Sequence, residues 1–325
     1  LRFTRGRLIL FLVMLLLVLR LYSMAVDETY NAPGPLQTSR TVVIPPDGTA
    51  AAALVLRRDG VIDHPLVFRA AAWLTRGQGP IHAGEYFVPA RSSLQQVLWI
   101  LRFWAPVEHQ VTIPEGLTGV QIAKIMNAAG FATGSVAPPA EGAVLPQSYK
   151  YTLDTPRGKI LQRAEAAMQV VLAREWAGRD KTVPLAWPEQ AVILASIVQE
   201  ESPVAAELPE IAAVYENRLA MGMKLQADPT VIYAASGGAT ASGAAISNTD
   251  LANASPYNTY VWDGLPPGPI CAPGLAAIEA VLHPAKSNAL FFVATGTGGH
   301  VFASTYREQL ANIAAYKAAL RRGAD

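Results

Sequence analysis

The chain has a single cysteine, Cys271, in 325 residues. An intrachain disulfide and any multi-cysteine zinc or iron–sulfur centre are thereby excluded. Charge is also scarce, at 16% of residues against a typical ~25%, so a solvated, extended chain is not expected. The 26 basic and 25 acidic residues leave a formal net charge of +1, and no Lys/Arg cluster lies outside the N-terminus. Nothing then points to nucleic acid as a partner. The five histidines, His64, His82, His109, His283 and His300, lack metal-ligand spacing, and no metal site is expected. No Gly-x-Ser-x-Gly elbow is present, and Gly296-Thr-Gly-Gly-His300 lacks the Lys-Ser/Thr of a phosphate loop, so it reads as a tight turn. No cofactor is implied. What is abundant is apolar surface: AVILMFWYC make up 51% of the residues, enough for about two folded units.

Arg2, Arg5 and Arg7 precede an apolar run, Leu8 to Leu19, that resumes after Arg20 as Leu21 to Val26. The length suits one membrane crossing, and the preceding arginines place the N-terminus in the cytoplasm and the remainder outside it. Arg20 would snorkel to the outer interface. Ser23-Met-Ala25 resembles a signal-peptidase site, but residues 1–26 read better as a retained transmembrane anchor. Residues 27–38, broken by Pro33 and Pro35, form a linker.

Beyond it the pattern predicts an α+β fold. Residues 39–105 read as strand, two helices, strand and a helix from Ser93, and residues 106–185 as a second α+β unit; its opening string Val111-Thr-Ile-Pro-Glu-Gly116, followed by a helix from Thr118, repeats Thr41-Val-Val-Ile-Pro-Pro-Asp-Gly48 of the first. In this unit Glu141 to Pro146 is the candidate second strand. Residues 186–325 open with a helical hairpin, Pro188 to Ser202 and Pro209 to Met221. A strand over Thr230 to Ala234, a Gly/Ala/Ser-rich loop, and the shaped loop Gly264-Leu-Pro-Pro-Gly-Pro269 follow.

On the first helix of that hairpin, Leu194, Ile197 and Val198 define an apolar stripe at ~100° per residue. Glu201, seven, four and three residues on, falls in the middle of it, whereas Gln199 and Glu200 point elsewhere. A carboxyl on a buried face has a raised pKa and suits a general acid. The plainer alternative is a stripe that emerges into solvent at the helix end. Tyr257, Asn258 and Tyr260 could stack on and hydrogen-bond a sugar, or equally fill core around a turn.

Several strings occur in a single order: Ala195 to Ser202, Asn217-Arg-Leu219, Met223 to Tyr233, Ser255 to Tyr260, Gly264 to Pro269, His283-Pro-Ala285 and Gly298-Gly-His-Val-Phe302. Together they closely resemble the MltG (YceG-like) family of endolytic murein transglycosylases. The resemblance extends over almost everything after the anchor, since the Ile-Pro turns and Ala83-Gly-Glu-Tyr86 are similar to that family's LysM-like N-terminal part. It implies an inner-membrane protein with a periplasmic catalytic domain that cuts nascent peptidoglycan glycan strands and leaves 1,6-anhydro-N-acetylmuramic acid ends. Glu201 matches the family's catalytic glutamate. Gln226, Asp228, Tyr257, Asn258 and Tyr260 become candidates for holding the sugars. Cell-wall synthesis or division proteins become candidate partners. Two positions depart from the pattern: Gln199 replaces the usual glutamate, and Pro146-Gln-Ser148 replaces Pro-Asp-Thr. Rival readings are a peptidoglycan-binding or divisome-organising module with little catalysis, and a hydrolase that uses two carboxylates.

Overall fold

The computed structural model describes residues 5–296 and 298–322, without the side chains of residues 5–9, 18–19, 21–26 and 322. The chain divides into two compact units, Leu1–His109 and Gln110–Asp325. The fold is mixed α and β.

The first unit opens with helix α1 (Arg5–Asn31), which carries the apolar run. Among the described residues no helix is long and apolar enough to cross a membrane. Much of the expected anchor, residues 1–26, lies outside that description. Strand β1 (Arg40–Ile44), helices α2 (Gly48–Arg58) and α3 (Pro65–Leu74), strand β2 (Gly84–Val88) and helix α4 (Leu94–Phe103) follow in the expected order. β1 and β2 pair antiparallel with Val42 opposite Tyr86. Alternate residues Val42, Ile44, Tyr86 and Val88 face inward onto Leu56, Phe68 and Leu101, which is the period-2 pattern of a sheet covered on one side. Ser93 caps α4 in a reciprocal capping box with Gln96, so the helix starts one residue later than the pattern suggests.

Strand β3 (Glu108–Thr112) leads into the second unit and pairs with β4 (Ser148–Thr152). The strand expected at Glu141 to Pro146 is therefore a few residues late; the Glu141 segment is a turn that buries Val144. Between the strands lies α5 (Gly119–Ala128), capped by Thr118 and Gln121, and after them α6 (Arg157–Gly178). Helices α7 (Pro188–Glu201) and α8 (Leu208–Ala220) form the expected hairpin, with a proline in the first turn of each.

Helix α9 (Asp228–Ala235) occupies the segment expected as a strand at Thr230 to Ala234. The β-branched run Thr230-Val-Ile232 suggests a strand, but Pro229 sits in the first helical turn, where its fixed φ and missing N–H cost nothing. Thr230 Oγ1 donates back to the Ala227 carbonyl at 2.6 Å and closes that turn. Short α10 (Asn248–Leu251) and α11 (Leu275–Leu282) follow, then an antiparallel hairpin of β5 (Phe291–Ala294) and β6 (His300–Ala303), and α12 (Tyr306–Arg322). Strand β6 was not expected from the pattern. The core of this unit is the face where α7, α8 and α11 meet, built from Leu194, Ile197, Ile211, Tyr215, Ile278 and Val281.

One buried group works against this core. Glu216 on α8 is 5% exposed, and its Oε1 has no hydrogen-bond partner among the described residues. Burial, with Asp180 adding like charge, pushes its carboxyl up to about 8. The folded protein thus holds a proton that the unfolded chain releases near pH 4.5, and stability is lost progressively as pH rises from about 4.5 to about 8. Glu216→Gln should raise the melting temperature by several degrees at pH 9 and leave it nearly unchanged near pH 4. Equal shifts at both pH values would contradict this account.

Candidate active site

Helix α7 is buried on most of its circumference: Ala191, Val192, Leu194, Ala195, Ser196, Ile197 and Val198 are all inaccessible. A single apolar stripe therefore understates it, and the residues expected to point away reach other parts of the protein. Gln199 Oε1 accepts the Gly274 N–H at 2.9 Å, which ties the helix to the loop before α11. Glu200 lies so close to Gly116 that a Cβ there would meet Oε1 at 2.2 Å. Gly116 also has φ +79°, so glycine is required twice over. Burial raises the Glu200 carboxyl, against hydrogen bonds with Ser242 and Cys271.

Glu201, the last residue of α7, is half-buried. Its Oε1 accepts a very short hydrogen bond from the hydroxyl of Tyr215, one helix away on α8. Desolvation pushes the Glu201 carboxyl up to about 7; the Tyr215 bond opposes this, Asp228 adds to it and Arg218 opposes it. Tyr215 is only 2% exposed, and its ring meets Phe292 edge-on at 6.0 Å. Its own hydroxyl is held well above its ordinary range by burial and by the neighbouring Glu201, so it stays protonated and donates to Glu201.

Arg218, one turn beyond Tyr215, holds the frame. Its Nε donates to the Leu290 carbonyl at 2.7 Å and its Nη1 to that of Leu225 at 2.6 Å, linking α8 to the segment before α9 and to the hairpin. That segment is zipped to the Tyr257–Tyr260 loop: Gln226 N–H donates to the Thr259 carbonyl at 3.1 Å, and Ala227 N–H to Thr259 Oγ1 at 3.0 Å. Gln226 takes φ +51°, a strained value for a residue with a side chain, and remains exposed. The zipper sets Asp228 beside Tyr260, whose hydroxyl donates to Asp228 Oδ1 at 2.6 Å.

Of the residues singled out in the sequence, Glu201, Asp228 and Tyr260 thus share one electrostatic neighbourhood, with Gln226 at its border. Tyr257 is placed otherwise: its ring packs on Tyr233 with centroids 4.9 Å apart, and the charge it senses is Glu141. Asn258 has 0% exposure, so a sugar cannot reach it. Its Nδ2 donates to the carbonyls of Asp250, Leu251 and Asn253, and its Oδ1 accepts the Tyr260 N–H. It is a knot that shapes the loop and not a ligand for substrate. Tyr215 escapes sequence reading, and Arg218 is singled out there only within Asn217-Arg-Leu219, with no role. They stand three apart on one face of α8, but that this face meets Glu201 depends on how the hairpin packs.

A raised pKa alone would not select Glu201, because burial also pushes Glu141 up to about 7. Glu141, however, accepts the Gly119 N–H at 2.9 Å at the start of α5 and is engaged with Tyr233. Glu201, by contrast, ends its helix close enough to the exposed Asp228 to feel its charge. Among the described residues no group of three His, Cys, Asp or Glu side chains could hold a metal ion. The arrangement can deliver one proton from a desolvated carboxyl and take one back, with polar groups at hand to orient a ligand.

The chain is 44% identical to the endolytic murein transglycosylase of Bacillus subtilis (strain 168) over 115 residues, 35% of this chain and 31% of that protein. It is 32% identical to the endolytic murein transglycosylase of Streptococcus pneumoniae over 170 residues, 52% of this chain and 30% of that protein. It thus spans about a third of the length of the curated relatives it matches. A crystal structure of a yceG-like protein from Listeria monocytogenes superposes with a TM-score of 0.52 at 26% identity, over 84% of this chain and 98% of the other. The YceG-like family itself matches residues 42–315, most of the chain, and the chain belongs to that family.

Proposed function

We propose that the protein is an endolytic peptidoglycan lytic transglycosylase with Glu201 as its acid and base. The observation that carries this reading is a half-buried carboxyl fixed through Oε1 by Tyr215, with its pKa pushed up by burial to about 7. With Oε1 engaged, Oε2 carries the proton toward the glycosidic oxygen. Protonation breaks the bond from the muramyl C1 to that oxygen and leaves Glu201 a carboxylate. The carboxylate then takes the proton of the muramyl 6-hydroxyl as its oxygen closes on C1. No water is consumed and Glu201 ends protonated. The family membership and the relatives named endolytic murein transglycosylases support this substrate class. Gln226, Asp228 and Tyr260 are assigned to orient the sugars, with Tyr257 at the margin.

The apolar run of residues 8–26 supports an inner-membrane anchor with the catalytic unit in the periplasm, and the first unit is read as LysM-like. Such a tether would concentrate the site near strands emerging at the membrane, where cell-wall synthesis or division proteins are the partners expected. A second reading, hydrolysis with two carboxylates, is favoured by one observation: Asp228 is close enough to raise the Glu201 pKa. Uncrosslinked glycan strands incubated with the protein should give internal cuts ending in 1,6-anhydro muramyl residues, read by mass spectrometry. Intact strands, or cuts confined to strand ends, would contradict the proposal.

A further inference from the structure

The string Gly298-Gly-His-Val-Phe302 has no part in the chemistry above, yet the hairpin it builds reaches Glu201 by two routes. The first runs through Glu207, in the elbow between α7 and α8. Its Oε1 accepts the backbone N–H of His300 at 2.8 Å, and its Oε2 accepts the Ser202 hydroxyl at 3.0 Å and His300 Nδ1–H at 2.8 Å. Although burial works against its charge, these bonds hold the Glu207 carboxyl below its ordinary range, so it is a constant acceptor. Ser202 is the C-cap of α7, is 3% exposed, and directly follows Glu201. Pro203 ends the helix there, so its last turn has no helical continuation to steady it. The second route runs through side chains: His300 meets Phe292 edge-on at 5.4 Å, Phe292 meets Tyr215 edge-on at 6.0 Å, and Tyr215 donates to Glu201.

We infer that the His300–Glu207–Ser202 clasp is a positioning device for the acid, through which the β5–β6 hairpin fixes both the backbone and the carboxyl of Glu201. The inference rests on the reading of Glu201 as general acid. His300, Glu207 and Ser202 touch no substrate and act only through Glu201. A proton donor must sit within a few tenths of an ångström of its productive place, so loosening the clasp lowers turnover far more than binding. Gly299 belongs to the same device. A Cβ there would meet Glu207 Oε1 at 2.7 Å, so a side chain at this position pushes the carboxylate off the His300 N–H.

The test compares His300→Ala, His300→Asn and Gly299→Ala with Glu201→Gln in the full chain, on uncrosslinked glycan strands. His300→Ala should lower kcat by about 10- to 100-fold with KM within about twofold. His300→Asn, whose amide can donate in place of Nδ1, should recover most of the loss. Gly299→Ala should show a smaller loss of kcat at an unchanged melting temperature, and it carries the test if His300→Ala folds poorly. Wild-type kcat in Gly299→Ala and His300→Ala alongside an inactive Glu201→Gln would overturn the clasp and leave the acid standing. Equal activity of Glu201→Gln and the wild type would instead overturn the reading beneath it.

Discussion

Glu201→Gln should abolish strand cleavage, with kcat falling about 10³-fold or more, while the melting temperature near pH 4 stays within about a degree. The exchange keeps shape and the acceptor for the Tyr215 hydroxyl, so nothing that packs α7 against α8 is lost. What disappears is the proton, and a 10³-fold loss corresponds to about 4 kcal/mol of barrier. The same variant should gain stability over wild type as pH rises from about 4.5 to about 7, and keep that gain above it. Burial raises the folded pKa of Glu201 to about 7, so the protein loses stability as pH rises from about 4.5 to about 7, and a neutral glutamine removes the loss. Glu200→Gln is the control: that side chain is engaged with Ser242 and Cys271 and packed over Gly116, and its amide should leave kcat within a fewfold of wild type. Strand binding by Glu201→Gln should be intact, which separates loss of chemistry from loss of the site.

The second large effect is on the pH profile. If the acid form of Glu201 delivers the proton, kcat should fall about tenfold per unit once pH exceeds about 7, so that pH 9 lies roughly 100-fold below the plateau. Tyr215 gives this prediction a second handle. Its hydrogen bond favours the ionised carboxyl and lowers the Glu201 pKa, against the larger opposing effect of burial. Tyr215→Phe should therefore move the descending limb to higher pH while lowering the plateau, because the carboxyl loses the bond that orients it. A limb in the same place for both proteins, or a flat profile from pH 6 to 9, would mean that another group supplies the proton.

How much of this was legible in the sequence depends on the range of the physics. The starts of α4 and α5 could be read to within a residue, because Ser93 and Thr118 cap their own helices. Glu201 was visible because helical periodicity places it among Leu194, Ile197 and Val198 without any tertiary knowledge. The α9 segment misled because β-branched residues suit a strand, whereas Pro229 and tertiary burial of Thr230 and Val231 decide for a helix. Asn258 looked like a sugar ligand because its string is polar and aromatic. Only the folded loop shows that its amide is spent on three carbonyls. Tyr215 could not be read at all and Arg218 only as part of the string Asn217-Arg-Leu219, since their place near Glu201 arises where two helices pack, and no local pattern encodes that register.

The central claim is that one carboxyl suffices, because the muramyl 6-hydroxyl, held near C1, replaces water as the attacking group. Digestion of glycan strands in water enriched in heavy oxygen tests this most directly, since the two chemistries differ in one atom. Transglycosylation predicts anhydro products that carry no solvent oxygen. New reducing ends bearing one heavy oxygen would contradict it and make Asp228, beside Tyr260, the second carboxylate of a hydrolase.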